Sequence, residues 1–187
     1  ARDLELGPQS SQFSVDGVRF ALPVPGEHNV LNALGAIAAC RVLDVPLTDL
    51  AGPLEHFLGV ARRFQSIGVA RGIEVIDDFG HNPAKIAASL ATARLRAGRV
   101  LAIFQPHGYG PTRFLREDLI ETFATQLRAV DQLFMLEIFY AGGSAVRDLS
   151  SADLVREIVA RGGQAEYAPT RDGLIERIAE EARSGDL

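Results

Sequence analysis

Two segments hold the residues best able to do chemistry. Asp77-Asp78-Phe79-Gly80-His81-Asn82-Pro83 puts two carboxylates, an imidazole and a carboxamide side by side. In such a cluster one carboxylate can accept hydrogen bonds from ribose hydroxyls or position a metal-bound group, while His81 contacts a substrate. Asn82 before Pro83 also suits a helix N-cap followed by a first-turn proline, and that structural role is enough to explain the pair by itself. Both roles can hold at once, because Asn82 can cap while its neighbours point outward. The second segment, Gln105-Pro106-His107-Gly108-Tyr109-Gly110-Pro111-Thr112-Arg113, can turn backbone N–H groups and Arg113 toward an anion at a helix N-terminus. An ordinary surface loop accounts for it equally well. Arg62-Arg63 reads by itself as a solvated basic pair at a domain boundary, and His56 as part of a polar helix face. The chain contains no P-loop pattern, zinc-type Cys/His spacing, Gly-x-Ser-x-Gly elbow or Cys/His pair suited to nucleophilic catalysis. Metal ligation by protein residues alone is therefore not expected.

The elements that must position these residues are legible in the pattern. Around Asp16-Gly17, two alternating runs spanning residues 12–22 predict a β-hairpin. Helical spacing predicts a helix over 29–43 with Val30, Leu34, Ile37, Ala38 and Val42 on one face. A second is expected over 46–58, capped by Thr48 or Asp49, with Leu50, Leu54, Phe57 and Leu58 as its stripe. From Arg62 the rhythm changes. Strands are expected at 72–78, 100–104, 133–138 and 165–168, alternating with helices at 83–97, 115–130, 151–161 and 172–182. Ser150 or Ser151 would cap the third of these helices. Strands alternating with helices, several of them apolar throughout, imply an α/β fold with a parallel sheet covered on both faces. Ligands bind such sheets beyond the carboxyl ends of their strands, which selects the loops 77–83, 105–113 and 139–144.

Composition narrows the class further. With 187 residues, 47% hydrophobic and 23% charged, the chain can build one large or two small domains and is neither collagen-like, disordered nor a disulfide scaffold. A net charge of -5 argues against a dedicated nucleic-acid binder. The lone Cys40 sits in an Ala-rich run and reads as a buried structural thiol in a reducing compartment. No apolar run approaches the roughly 20 residues of a membrane span, and Ala1-Arg2-Asp3-Leu4 does not resemble a signal peptide. A cytoplasmic protein with no membrane or nucleic-acid partner is expected.

Four motifs in order resemble the Mur ligases: Pro25-Gly26-Glu27-His28-Asn29-Val30-Leu31-Asn32-Ala33, Gly59-Val60-Ala61-Arg62-Arg63-Phe64, Ile76-Asp77-Asp78-Phe79-Gly80-His81-Asn82-Pro83, and Phe104-Gln105-Pro106-His107. The likeness continues more weakly through Glu137-Ile138-Phe139-Tyr140-Ala141-Gly142-Gly143 and Leu149-Ser150-Ser151-Ala152-Asp153-Leu154. It implies that residues 1–61 are the tail of a central ATPase domain, a small hairpin-plus-helices remnant, and that residues 62–187 are a Rossmann-like C-terminal domain lacking its last strand and helix. It also implies an ATP- and Mg2+-dependent ligase, the magnesium being held mainly by the rest of the central domain. The reaction implied is phosphorylation of a carboxylate followed by attack of an amino group. Gln105-Pro106-His107 favours the branch that joins L-alanine to UDP-N-acetylmuramate in peptidoglycan precursor synthesis. By the same resemblance, Asn32 contacts adenine, Arg63 the nucleotide phosphates and domain closure, and Asp78 the ribose. His81, a catalytic candidate together with Arg63, stands with His107, Thr112 and Arg113 near the amino-acid and muramoyl substrates. Two departures mark this chain. His81-Asn82-Pro83 stands where the family usually reads His-His-Pro, and Gly108 and Pro111 stand where arginines are usual. Loss of two guanidinium groups removes bidentate carboxylate or phosphate recognition. The alternatives are thus a degenerate, non-catalytic binding domain or the related murein tripeptide recycling ligase.

Overall fold

The computed structural model describes residues 1–140, 142–144 and 146–187; Ala141, within the third expected loop, lies outside them. The chain builds two cores. In the first, β1 (Arg2–Leu6), β2 (Ser11–Val15) and β3 (Val18–Leu22) form an antiparallel sheet in that order. Asp16 and Gly17 both take positive φ, 47° and 82°, which is what a two-residue turn matched to strand twist requires. That turn sets the register Phe13↔Phe20, and the two rings stack at 5.4 Å beneath α1 (Glu27–Val42) and α2 (Leu47–Glu55). β1 was not predicted, because all its side chains but Leu6 are exposed and leave no alternation to read. The expected α1 stripe is also rotated: Ala33 is buried beside Val30 and Ile37, while Val42 is 82% exposed. At α2 the N-cap is Pro46, with no side-chain cap bond, and the Thr48 hydroxyl instead donates to Asp49 Oδ1. Phe57 and Leu58 fall beyond the end of that helix and are exposed. Cys40 is only partly buried, contrary to the expected buried thiol.

The second core belongs to an α/β unit. It comprises β4 (Gln65–Ala70), β5 (Ile73–Asp77), α3 (Pro83–Ala93), β6 (Leu101–Phe104), α4 (Tyr109–Phe114), α5 (Arg116–Gln126), β7 (Gln132–Leu136), α6 (Ser151–Ala160), β8 (Ala165–Ala168) and α7 (Arg171–Glu181). β6, β7 and β8 pair in parallel. Successive strand residues point to opposite faces, so Leu133 and Met135 of β7 join Leu90 of α3, Phe123 of α5 and Ile158 of α6 on one side. Phe134 and Leu136 meet Leu174 of α7 on the other. Helices thus cover both faces, as the apolar strands required.

Two features depart from the expected pattern. β5 pairs antiparallel with β4, a fully exposed strand whose residues give no burial signal, in a sheet separate from β6-β7-β8. Between the two sheets lies the segment 185–187: Gly185 N–H donates to Gly72 O (2.8 Å) and Glu74 N–H to Asp186 O (3.2 Å) on the β5 side. On the β6 side, Leu101 N–H donates to Leu187 O (2.8 Å) and Leu187 N–H to Arg99 O (3.2 Å). The second departure is that the helix expected over 115–130 resolves into α4 and α5, with α4 starting inside the expected loop. Pro111 falls in the first turn of α4, where its missing N–H would have had no intrahelical partner.

Candidate functional site

The two cores meet around residues 59–64 and 77–80. Arg62 and Phe64 are non-glycine residues at φ 59° and 49°, a left-handed backbone that persists only when its surroundings fix it. Arg62 O accepts the Phe79 N–H at 2.9 Å, and the Arg62 guanidinium pairs with Asp77 at 3.2 Å and lies over the Phe79 ring. Phe64 buries its ring, and its N–H donates to Asp78 Oδ2 at 2.8 Å. The other Asp78 oxygen accepts the Gly80 N–H at 2.5 Å. Asp78 is therefore first a staple holding β5's end to the junction, and it also lines the space beside it.

That space is a cavity of about 720 Å³ between α1, α3 and the 57–63 segment. Leu22, Val24, Ala33, Phe57 and Val60 supply apolar walls, and Asn32, Arg63 and Asp78 all line it, so the structure gathers the three residues expected at a nucleotide. His28, Lys85 and Ser89 line it too and were not singled out as site residues. His28 was findable, because His28, Asn32 and Ala36 recur at helical spacing on one face of α1. Burial holds the His28 imidazole below its usual pKa against the opposing pull of Asp78, which leaves it neutral at pH 7. Its ring approaches Thr92 of α3 at 3.5 Å. Gly26 makes that approach possible: at φ 95°, a β-carbon there would lie 2.4 Å from Thr92 Oγ1.

The other expected residues stand elsewhere. His81 is exposed and is not among the residues lining the cavity; its Nδ1 lies 3.1 Å from Phe79 O and its ring is edge-on to Phe79. Asn82 caps α3, accepting the Lys85 N–H at 3.0 Å, with Pro83 opening the helix. His107 sits in a different loop, stacked on Phe139 at 5.1 Å and joined to it by a bridge that extends the β6–β7 pairing. Thr112 is 2% exposed and donates its hydroxyl to Gly108 O at 2.7 Å, at the start of α4. Arg113 is paired with Asp148 and donates to Val146 O, in a shallow charged recess with Arg116 and Arg156 that is separate from the junction cavity. Among the described residues no group of three or more His, Cys, Asp or Glu side chains is placed to hold a metal ion.

Behind the loop after β7, Glu137 accepts from the N–H groups of Ser151 (3.0 Å) and Ile138 (2.7 Å), from Ser150 Oγ (2.7 Å) and from the Tyr167 hydroxyl (3.0 Å). Burial would raise its pKa, but these donors outweigh it and hold the carboxyl below its ordinary range. Ser150 caps α6 in a reciprocal box with Asp153.

Fold and site together define an α/β unit joined to a smaller unit, with a cavity at their junction. The profile of the Mur ligase glutamate ligase domain matches residues 62–187, and the chain belongs to the Mur ligase family. It is 38% identical to the UDP-N-acetylmuramate–L-alanine ligase of Solibacter usitatus, over 100% of this chain and 40% of that one. It is 39% identical to the enzyme of that name from Paracoccus denitrificans, over 89% of this chain and 34% of that one. The chain thus spans well under half of these relatives. Its fold matches the UDP-N-acetylmuramate-alanine ligase of Thermotoga maritima with a TM-score of 0.74 at 26% identity, over 98% of this chain and 40% of that one. A murein peptide ligase of Psychrobacter arcticus matches at 0.60 and 26%, over 98% and 39%. No helix among the described residues is long and apolar enough to cross a membrane.

Proposed function

We propose that this chain is the part of an ATP-dependent ligase that closes over the nucleotide and brings in the amino acid, joining L-alanine to UDP-N-acetylmuramate in peptidoglycan precursor synthesis. The observation that carries the reading is the convergence of Asn32, Arg63 and Asp78 on one cavity, in a chain whose relatives bear that enzyme's name. The cavity suits ATP: apolar walls and a neutral imidazole accept a purine, a carboxamide can read its edge, and guanidinium and carboxylate suit phosphate and ribose. ATP supplies the phosphoryl group that activates the acceptor carboxylate as an acyl phosphate, which the amino group then attacks. In this account Asn32 orients the base, Asp78 accepts from the ribose with the lone pairs its backbone bonds leave free, and Arg63 steadies phosphate charge. By family resemblance His81, packed on Phe79, is assigned to the acceptor side and His107, stacked on Phe139, to the amino-acid side. Thr112 and Arg113 contribute through loop structure. The chain contains no P-loop pattern, and ligation by these 187 residues alone is not expected.

The test is ADP release by the full-length parent protein with UDP-N-acetylmuramate and L-alanine, glycine or L-serine in turn. Turnover with L-alanine supports the reading. A second reading rests on Gly108, which caps α4 at φ 80° with its β-carbon position 3.4 Å from Pro111 Cδ, a site that refuses an arginine without strain. It is a binding domain without ligase activity, or the related murein tripeptide recycling ligase. ATP binding without turnover on any of the three amino acids would favour it.

A further inference from the structure

Lys85 is the single lysine among the chain's 19 basic side chains, the rest being arginine. It stands in the first turn of α3, where the positive end of the helix dipole disfavours an ammonium. Capping does not explain it, because the bond at this helix end runs from the Lys85 backbone N–H to Asn82. The side chain is partly buried and lines the junction cavity, and no carboxylate pairs with it among the described residues. The cavity's one carboxylate, Asp78, already accepts two backbone N–H groups. Arg63, the other cation on the wall, has no carboxylate partner among the described residues and rests near the Phe79 ring. Two cations against one engaged carboxylate, in a mainly apolar enclosure, make a place whose charge is completed by an anion.

We propose that Lys85 is an anion-binding residue of this cavity that acts with Arg63 to hold the phosphates of a bound nucleotide and so sets the preference for nucleotide over nucleoside. The proposal rests on reading the cavity as a nucleotide site. An ammonium is a compact point charge with three rotatable donors, suited to phosphate oxygens whose exact position varies between ATP and ADP. The competing structural role is packing of the lysine stem against Gly80, whose β-carbon position lies 3.6 Å from Lys85 Cβ. Lys85→Met keeps the stem and removes the charge, which separates the two.

Calorimetric titration of the 187-residue chain with ATP, ADP and adenosine tests it. Lys85→Met is expected to weaken ATP and ADP by about tenfold or more and to leave adenosine nearly unchanged, while Lys85→Arg keeps most of the ATP affinity. A second readout uses periodate-oxidised ATP, whose ribose dialdehyde condenses with an amine to an imine and water and is fixed by borohydride. The chain offers two amines, Lys85 and the Ala1 α-amino group; the adduct should map to Lys85 and be prevented by excess ATP. Unchanged ATP affinity in Lys85→Met overturns the proposal while the nucleotide reading stands. Equal weakening of ATP and adenosine also overturns it, by showing a packing role. Failure of the unaltered chain to bind either ATP or adenosine overturns the proposal and the nucleotide reading together.

Discussion

The Phe64 N–H and the Asp78 carboxylate, 2.8 Å apart, tie the first residues of the α/β unit to the end of β5. Phe64 is held in left-handed backbone there, and the same carboxylate fixes the Gly80 turn. In Asp78→Asn the carboxamide can accept only one of these bonds and must turn its NH₂ toward the other donor. A loss of about 1–3 kcal/mol is expected. Urea denaturation of the variant against the unaltered chain measures it, and an unchanged midpoint would refute the staple.

At Gly26, alanine would bring a β-carbon to 2.4 Å from Thr92 Oγ1 and 2.8 Å from the His28 ring, at φ 95°. Gly26→Ala should cost at least about 1–2 kcal/mol and push α1 away from α3. Thermal unfolding reads the cost. Altered His28 imidazole NMR shifts would report the displaced contact.

Glu137 makes stability depend on acid. Its carboxyl titrates lower in the folded chain than its ordinary 4.5, so its contribution is complete above that value and is lost as pH falls through the lowered folded pKa. Asp131 acts in the same direction. Burial would raise its pKa from 3.8, but hydrogen bonds from Arg128 and from the Val100 N–H outweigh it. Urea midpoints between pH 7 and pH 3 should fall steeply only in the acid part of the range. Glu137→Gln should start lower at pH 7 and fall less.

Gly108→Arg would place a guanidinium onto a backbone at φ 80°. About 1–2 kcal/mol of stability should be lost, and the single change should not improve turnover in the parent protein. Unaltered melting with raised activity would show that the loop adapts.

Burial decided what the sequence could reveal. Strands with an apolar face or an apolar interior, such as Phe13 opposite Phe20 or the β7 run, were readable because their periodicity is the periodicity of burial. β1 and β4 were not, since exposed strands carry no such pattern. The cap at Asn82 and the turn at Asp16-Gly17 were legible because each depends on local backbone chemistry alone. The gathering of Asn32, Arg63 and Asp78 came from resemblance, not from spacing, because residues this far apart in sequence meet only through packing of the two units. The pairing of Arg113 was hidden for the same reason: nothing local announces its ion pair with Asp148. Lys85 was visible as the only lysine, yet only the cavity gives that a meaning.

The strip 185–187 hydrogen-bonds to both β5 and the approach to β6, and is the backbone link between two sheets that otherwise do not pair. It works as a zip fastener: the hairpin carrying Asp77 and Asp78 keeps its alignment with the strands that launch His107 only while those few bonds hold. In hydrogen exchange, the amides of Glu74 and Leu101 should therefore lose protection in a single opening event. Loosening of this strip should shift the loop after β5 relative to the loop after β6 while both cores stay folded.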